Sequence, residues 1–242
     1  MADNPLRGHV PLSIGIIMDG NRRLARRFNL KPWKGHEMGV KKLEEVLDWC
    51  SEFGIKYVTV YAFSTENFNR PRREFKMIMK LFKEEFLKIA NNLKHKAHLY
   101  KVRVRGIGRR EMLPDDVREA MEKAEEATKS YKDYFLNLAI AYGGQQEITD
   151  ACRKVAEMVK KGRLKPDDIN EKIFSHFLYL NGTPSPDLII RTGGEHRLSN
   201  FLLWHSAYSE LAFVDEMWPE FSKETFVSVL KDFQRRQRRF GR

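Results

Sequence analysis

Cysteine is scarce. Two in 242 residues exclude a disulfide-stapled fold, and Cys50 and Cys152 lack metal-ligand spacing. Both fall in helical patterns and read as small buried apolar side chains in a reducing compartment. Long hydrophobic runs are missing too: none approaches the roughly 20 residues of a spanning helix. No apolar stretch near the N-terminus resembles a secretory signal, so a cytoplasmic protein is expected. Acid is short relative to base. Asp and Glu number 33 against 44 Lys and Arg, a net charge of +11, with a pI near 9.6. Such a balance calls for an acidic partner: nucleic acid, anionic lipid or a phosphorylated substrate. Repeats, low-complexity tracts and linkers are also absent. The loop Gly182–Pro186 is too short to separate two domains, so residues 1–242 read as one domain, with a loose N-terminus over 1–9 and a basic tail over 235–242.

What is present is organised around Ile14–His36, IGIIMDGNRRLARRFNLKPWKGH. Ile14–Met18 reads as a short buried strand, stopped by the turn formers Asp19-Gly20-Asn21. Arg22, Arg23, Arg26 and Arg27 then fall on the first turns of a helix. A strand that enters a helix through a glycine turn suits an anion, because backbone N–H groups and the helix dipole face it. Asp19 is the odd member. A carboxylate in a phosphate site repels the ligand unless a cation intervenes, so Asp19 reads as a Mg²⁺ ligand. The alternative is that it merely caps the helix.

Further on, Val40–Phe53 has helical periodicity, closed by Gly54. Tyr57–Phe63 is a β-rich strand, and Phe75–Leu93 a long helix with one apolar face. Val102–Ile107 reads as a strand, Pro114–Ser130 as a helix and Phe135–Ala141 as a strand. A helix through about Lys161, a shorter one over Asn170–Leu178, a strand at Leu188–Ile190 and a final helix over Ser222–Phe240 complete the pattern. Alternation of this kind predicts an α/β fold: a mostly parallel central sheet covered by helices.

In such sheets ligands bind at the carboxyl ends of strands. Three strand ends carry polar clusters: Asp19–Arg23, Ser64–Arg70 and Arg191–Ser199. Each joins arginine to hydroxyl or amide donors, the inventory for phosphate. A single cluster of this kind is usually a solvated face. Three at strand ends suggest two phosphorylated substrates held beside one metal carboxylate. The apolar faces of Val40–Phe53 and Phe75–Leu93 either cover the sheet or splay to leave an apolar tunnel.

These residues resemble the cis-prenyltransferases, the undecaprenyl and dehydrodolichyl diphosphate synthases, over nearly the whole chain. The matching stretches are IMDGN (Ile17–Asn21), Gly35-His36, YAFSTENFNRP (Tyr61–Pro71), NLAIAYGG (Asn137–Gly144) and DLIIRTGGEHRLSNFLLWHSAYSEL (Asp187–Leu211). The resemblance implies a Mg²⁺-dependent condensation of isopentenyl diphosphate onto an allylic diphosphate, farnesyl or geranylgeranyl, giving a long cis-polyprenyl diphosphate for a glycosyl carrier lipid. It makes Asp19 the essential metal aspartate. It puts Gly20, Asn21, Arg22, Arg23 and Leu24, with His36, at the allylic diphosphate. Ser64, Asn67 and Arg70 match a Ser-x-x-Asn-x-x-Arg motif that orients the isopentenyl substrate and assists proton removal, with Asn67 catalytic and Thr65, Glu66 and Phe68 in the same substrate surface. Arg191, Arg197, Leu198 and Ser199 match the isopentenyl diphosphate site, and Glu210 the second acidic residue associated with Mg²⁺. Arg239 and Gly241 match an Arg-x-Gly tail that completes a neighbouring subunit's site, so a homodimer is implied, along with peripheral contact with membrane lipid during product release. The tunnel would shelter the growing chain.

The chain departs from the family pattern in places. Asn21-Arg22-Arg23-Leu24 stands where bacterial members read Asn-Gly-Arg-Trp and looks more like archaeal and eukaryotic members. Pro32 replaces a common arginine, for which Lys31 or Lys34 would have to substitute, and Phe68 stands where tryptophan is frequent. Two other classes fit parts of the sequence. One is a nucleic-acid-binding protein, from the charge and the five arginines among the last eight residues; the arginines here sit instead with glycines and an aspartate at strand ends, so no nucleic-acid partner is expected. The other is a non-catalytic partner subunit of a heteromeric prenyltransferase, which would typically have lost Asp19 and the Asn-x-x-Arg element.

Overall fold

The computed structural model describes residues 9–236. Six parallel strands form one sheet in the order β3-β4-β2-β1-β5-β6. They are β1 (Ser13–Ile17), β2 (Tyr57–Ser64), β3 (Val102–Ile107), β4 (Tyr134–Tyr142), β5 (Leu188–Arg191) and β6 (Glu210–Phe213). The helices are α1 (Asn21–Arg27), α2 (Pro32–Glu52), α3 (Arg72–Asn91), α4 (Lys96–Leu99), α5 (Asp115–Thr128), α6 (Gly144–Lys160), α7 (Glu171–Ser175) and α8 (Lys223–Arg235).

β-Branched and aromatic runs make the strands, and alternation along them sends side chains to two buried faces. On one face Ile14, Ile16, Val58, Val60, Leu188 and Ile190 pack against α2, α8 and the aromatic group Trp218, Phe221 and Phe226. On the other Ile17, Ala139, Ile189, Phe201 and Leu202 form a separate cluster. A third cluster lies beneath α3 and α5, where Phe63, Ile78, Met79, Phe86, Val104, Val117, Met121 and Ile140 meet.

Several sequence expectations change. β6 has no counterpart among the expected strands: its four residues, ELAF, are all half-buried and show no alternation. Cys152 is exposed on α6, and only Cys50 behaves as a buried apolar residue. Leu93, assigned to the apolar stripe of α3, lies two residues past the helix end and is 76% exposed. The 170–178 helix shortens to α7, which Asn170 caps by accepting from Ile173 N. The final helix ends at Arg235, and its expected extension to Phe240 lies outside the described residues, as do residues 1–8 of the N-terminus.

One contact fixes the entrance of α1. A Cβ on Gly35 would lie 2.0 Å from the Asn21 carbonyl oxygen, and one on Gly39 2.5 Å from Asn21 Oδ1. These glycines let α2 press directly against the turn after β1. Gly35→Ala forces backbone apart rather than a pliable side chain, so it should destabilise the protein by about 1–3 kcal/mol. Its effect on activity should exceed that of an equally destabilising substitution in the α3/α5 core, such as Val117→Ala. Denaturant titration beside turnover checks this, and equal losses in both variants would refute a special role for the contact.

Candidate active site

Adjacent strands β2, β1 and β5 run in register, Tyr61 and Arg191 both opposite Ile17. β1 and β5 therefore stop level, β2 runs on to Ser64, and the three polar clusters of the sequence meet at this end of the sheet. Asp19, Asn21, His36, Ser64, Glu66, Asn67, Arg70, Arg191 and Ser199 share the wall of one cavity of about 670 Å³. Asp19 does not cap α1. Gly20 is the cap residue, at φ 110°, and no side chain caps the helix. A Cβ there would meet Met217 at 2.7 Å.

The Asp19 carboxylate is instead held between arginines. Its Oδ2 accepts from Arg191 Nη2 at 2.9 Å, and its Oδ1 lies 3.3 Å from Arg23 Nη2. Arg191 is 4% exposed. Its Nη1 donates to the Ser199 hydroxyl at 2.8 Å and to the Arg197 carbonyl, while its buried Nε has no acceptor among the described residues. A buried, unpaired guanidinium N–H is costly and invites an anion.

Ser64 and Asn67 form a reciprocal box around the 3-10 turn Thr65–Asn69: the Ser64 side chain accepts from the Asn67 backbone, and Asn67 Oδ1 accepts from Ser64 N at 3.2 Å. The Ser-x-x-Asn spacing is thus also what rigidifies the loop. Arg70 Nη1 donates to His36 Nε2 at 2.9 Å and to Glu74 Oε1 at 3.1 Å. Because the guanidinium can only donate, Nε2 accepts and the His36 proton sits on Nδ1. Burial lowers the His36 pKa, the Arg70 charge pushes the same way and Glu74 opposes it. The imidazole is therefore neutral at pH 7.

Glu74 was missed by sequence reasoning. It is 3% exposed, and Oε1 reaches both Arg70 and, at 3.3 Å, Arg22 Nε. The signal was the Arg70/Glu74 spacing of four at a helix start, where an acid also suits the dipole. Asn200 was missed as well. It lines the cavity, its Oδ1 accepts from Gln145 N and its Nδ2 donates to Gln146 Oε1.

Other expected residues stand elsewhere. Leu24 is fully buried and its side chain cannot touch a ligand. Phe68 packs on Phe63 and Phe75 in the α3/α5 core, Leu198 packs against the cluster around Phe201, and Thr65 donates to Glu66 Oε1. Arg23 donates to the Gly193 carbonyl at 2.7 Å, and the exposed Arg197 pairs with Glu195 at 2.5 Å. Lys34 pairs with Glu37, and neither it nor Lys31 lines the cavity.

Glu210 stands apart from Asp19 within one chain. It pairs with Leu188 at the amino-terminal end of β5, whereas Asp19 lies beyond the opposite end of the sheet, so roughly 10 Å of strand separates the two levels. Its carboxylate is bound to Arg236 at 2.8 Å. Glu210 and Asp19 of one chain cannot share an ion, and no group of three His, Cys, Asp or Glu side chains suited to a metal exists among the described residues. Arg239 and Gly241 lie outside the described residues.

His36 Nε2 has no proton to donate across its 3.9 Å to Glu74, so the guanidiniums of Arg22 and Arg70 hold the Glu74 carboxyl below its usual pKa, against burial, which raises it. Its contribution to stability is therefore complete above the unfolded value near 4.5 and is lost as pH falls below it. Glu74→Gln should cost about 1–3 kcal/mol at pH 7. The gap to the wild type should close on acidification below pH 4.5, as followed by urea midpoints across pH. A gap independent of pH would show that the charge is not what matters.

A family profile described as putative undecaprenyl diphosphate synthase matches residues 17–241. The chain is 57% identical over 235 residues to the tritrans,polycis-undecaprenyl-diphosphate synthase (geranylgeranyl-diphosphate specific) of Methanopyrus kandleri, covering 97% of this chain and 86% of the relative. It is 48% identical over 240 residues to an isoprenyl transferase of Thermus thermophilus, covering 98% and 90%. Among solved structures, lavandulyl diphosphate synthase from Lavandula x intermedia in complex with dimethylallyl diphosphate superposes with a TM-score of 0.90 at 34% identity, covering 96% of this chain and 99% of that one. Family profile, relatives and fold agree with the residues gathered at the three strand ends: the chain belongs to the undecaprenyl diphosphate synthase family, the cis-prenyltransferases.

Proposed function

We propose that this enzyme elongates geranylgeranyl diphosphate with isopentenyl diphosphate, each step adding a cis C5 unit, to give a polyprenyl diphosphate of about undecaprenyl length for a carrier lipid. One observation carries the reading: a charged head containing the unsatisfied Nε of Arg191 opens directly into an apolar cavity walled by α2, α3 and β4. A diphosphate with a long hydrocarbon tail has that polarity. Between farnesyl and geranylgeranyl primers, support for the larger comes from the Methanopyrus kandleri relative, named as geranylgeranyl-specific.

The donor set suits Mg²⁺ in one way. Asp19 offers one partly exposed carboxylate at the head of the cavity, and Mg²⁺ characteristically takes one or two carboxylates plus substrate phosphates and water. Asp19 would hold the ion, and when bound the ion would neutralise charge developing on the departing diphosphate. Arg23 and Arg191, which flank the Asp19 carboxylate, would offer their guanidinium N–H groups to the phosphate oxygens. Electrostatic stabilisation of the leaving group should contribute most to the rate. Asn67 and Arg70 would orient the homoallylic substrate. Its double bond would attack C1 of the primer, the C1–O bond breaking with its electrons leaving on diphosphate, and a C2 proton would pass to a diphosphate oxygen as the C–H electrons form the new cis double bond. Leu43, Leu47, Phe82 and Phe86 around the cavity keep water from the developing cation.

Asp19→Ala should retain the fold and lower turnover by at least about 10²-fold at saturating Mg²⁺. Labelled isopentenyl diphosphate with dimethylallyl, farnesyl and geranylgeranyl primers should give the highest kcat/KM with geranylgeranyl. Near-normal turnover of the variant removes the metal assignment, and a preference for farnesyl removes the primer assignment.

The tail supports a homodimer on the strength of the family motif Arg239-x-Gly241. Co-expressing Asp19→Ala with a chain truncated before Arg239 should restore activity in about one site in four if pairing is random and the tail acts across the two-fold. With mixed dimers shown to form, no restored activity means that the tail serves its own chain. No helix among the described residues is long and apolar enough to cross a membrane. We place the enzyme in the cytoplasm, with contact at the membrane surface during product release.

A further inference from the structure

The far end of the cavity, away from the charged head, reaches His95, Glu44 and Glu85. A second, smaller cavity of about 60 Å³ adjoins it. The two share Glu44, Leu47, Ile89, His95 and Leu136 in their walls, and the second also touches Lys96, Ala97 and Tyr100. The apolar space thus ends beneath the short segment that joins α3 to β3.

That segment is built inside out. Residues 91–101 read NNLKHKAHLYK, with three lysines, two histidines and no acid. The small Ala97 is buried, whereas Leu93 is 76%, Leu99 64% and Tyr100 44% exposed. These are three of the larger apolar side chains that the surface shows, and they fall within one eight-residue stretch. Fraying does not explain them. Asn92 Oδ1 accepts from Lys94 N at 3.0 Å and His95 Nδ1 from Ala97 N at 3.1 Å. The His98 ring is tied to the Ile89 carbonyl at 2.6 Å and to the Tyr131 hydroxyl at 2.9 Å. The loop is hydrogen-bonded into a shape that keeps its large apolar residues in water.

Acidic side chains stand on both sides of it. Lys96 is paired with Asp48 at 2.6 Å, and Lys88 with Glu85 at 2.6 Å, both against the cavity rim. Lys101 Nζ stands 4.0 Å from Asp133, and Lys94 is exposed beside Leu93. Exposed leucine and tyrosine among lysines make the surface that inserts shallowly into an anionic bilayer: apolar side chains enter the acyl boundary while lysines meet acidic headgroups.

We propose that Leu93, Leu99 and Tyr100, with Lys94 and Lys101, dock the enzyme on an anionic lipid surface and set the far end of the prenyl cavity against the bilayer. This rests on the reading of the cavity as the product site, and gives that product a route: a hydrocarbon chain that outgrows the cavity at His95 meets lipid rather than water.

The test reads binding without catalysis, so that its failure is separable from failure of the synthase reading. The purified full-length chain is sedimented with vesicles of phosphatidylcholine alone or with about 30 mol% phosphatidylglycerol, a proportion that gives an appreciable negative surface potential. Binding to the anionic vesicles should exceed binding to the neutral ones and fall with added salt. Leu93→Ser/Leu99→Ser should weaken it by at least about tenfold, and Lys94→Glu/Lys101→Glu by about 25-fold or more. Both variants should keep the rate of the first condensation in detergent solution. Phe28→Ser/Leu30→Ser, an exposed apolar pair beside α1 at the charged end, should change binding by less than about twofold. The proposal is overturned if the wild type does not bind anionic vesicles, if Leu93→Ser/Leu99→Ser binds within about twofold of it, or if the Phe28/Leu30 pair carries the binding instead.

Discussion

The ion pair between Asp19 and Arg191 holds the site together. A guanidinium that is nearly sealed from water must have its donors met, and burying it unpaired would cost several kcal/mol. Arg191 ends β5 and Asp19 follows β1, so their 2.9 Å contact ties adjacent strand ends. Nη1 then reaches the Ser199 hydroxyl and the Arg197 carbonyl, which hold the 192–200 loop over the sheet, and Nε alone is left unpaired. Ser199 and Asn200 take positive φ there, a conformation that non-glycine residues adopt only when their surroundings enforce it. Asp19 thereby fixes two guanidiniums, those of Arg191 and Arg23, beside the strand ends.

The same sharing of partners explains why a chain of charge +11 does not present a simple positive basin. Arg22 and Arg70 share Glu74, Arg23 and Arg197 share Glu195, and Arg23 and Arg191 share Asp19. The carboxylates hold the arginines extended and in place before a ligand arrives. That preorganisation lowers the ordering cost of binding, while giving up some raw attraction.

Much of this was legible in the sequence because strand-end chemistry is local. Asp19, Ser64, Asn67, Arg70, Arg191 and Ser199 each follow a run of apolar β-formers, and in a parallel sheet such positions converge. The placing of Glu210 was not legible, because its motif is linear while the sheet is not: β6 begins at Glu210 and reaches the active end only at Phe213. Leu24 misled differently. It adjoins Arg23 in sequence, but on a helix successive residues face apart by about 100°, and Leu24 turns inward. Asn200 was invisible for want of its partners Gln145 and Gln146, which come from a distant segment, and for Glu74 only the Arg70 spacing was local, its contacts with His36 and Arg22 being distant.

The tunnel turned on a question that periodicity cannot answer. A helix face that is apolar packs on something, but the pattern does not say whether the neighbours meet. Here they do not. The α2/α8 cluster and the α3/α5 cluster are separate cores on one side of the sheet, and the cavity lies along the seam, with Leu136, Leu138 and Ile140 of β4 as its floor. Protein interiors otherwise pack to crystal-like density, so a seam of about 670 Å³ leaves its lining without the dispersion contacts that a closed core would give. A hydrocarbon chain restores those contacts without needing a single hydrogen bond. Apolar tail and seam therefore stabilise each other, the more so with each unit added. The lining of the seam turns polar only at Glu44, Glu85 and His95, away from the charged head.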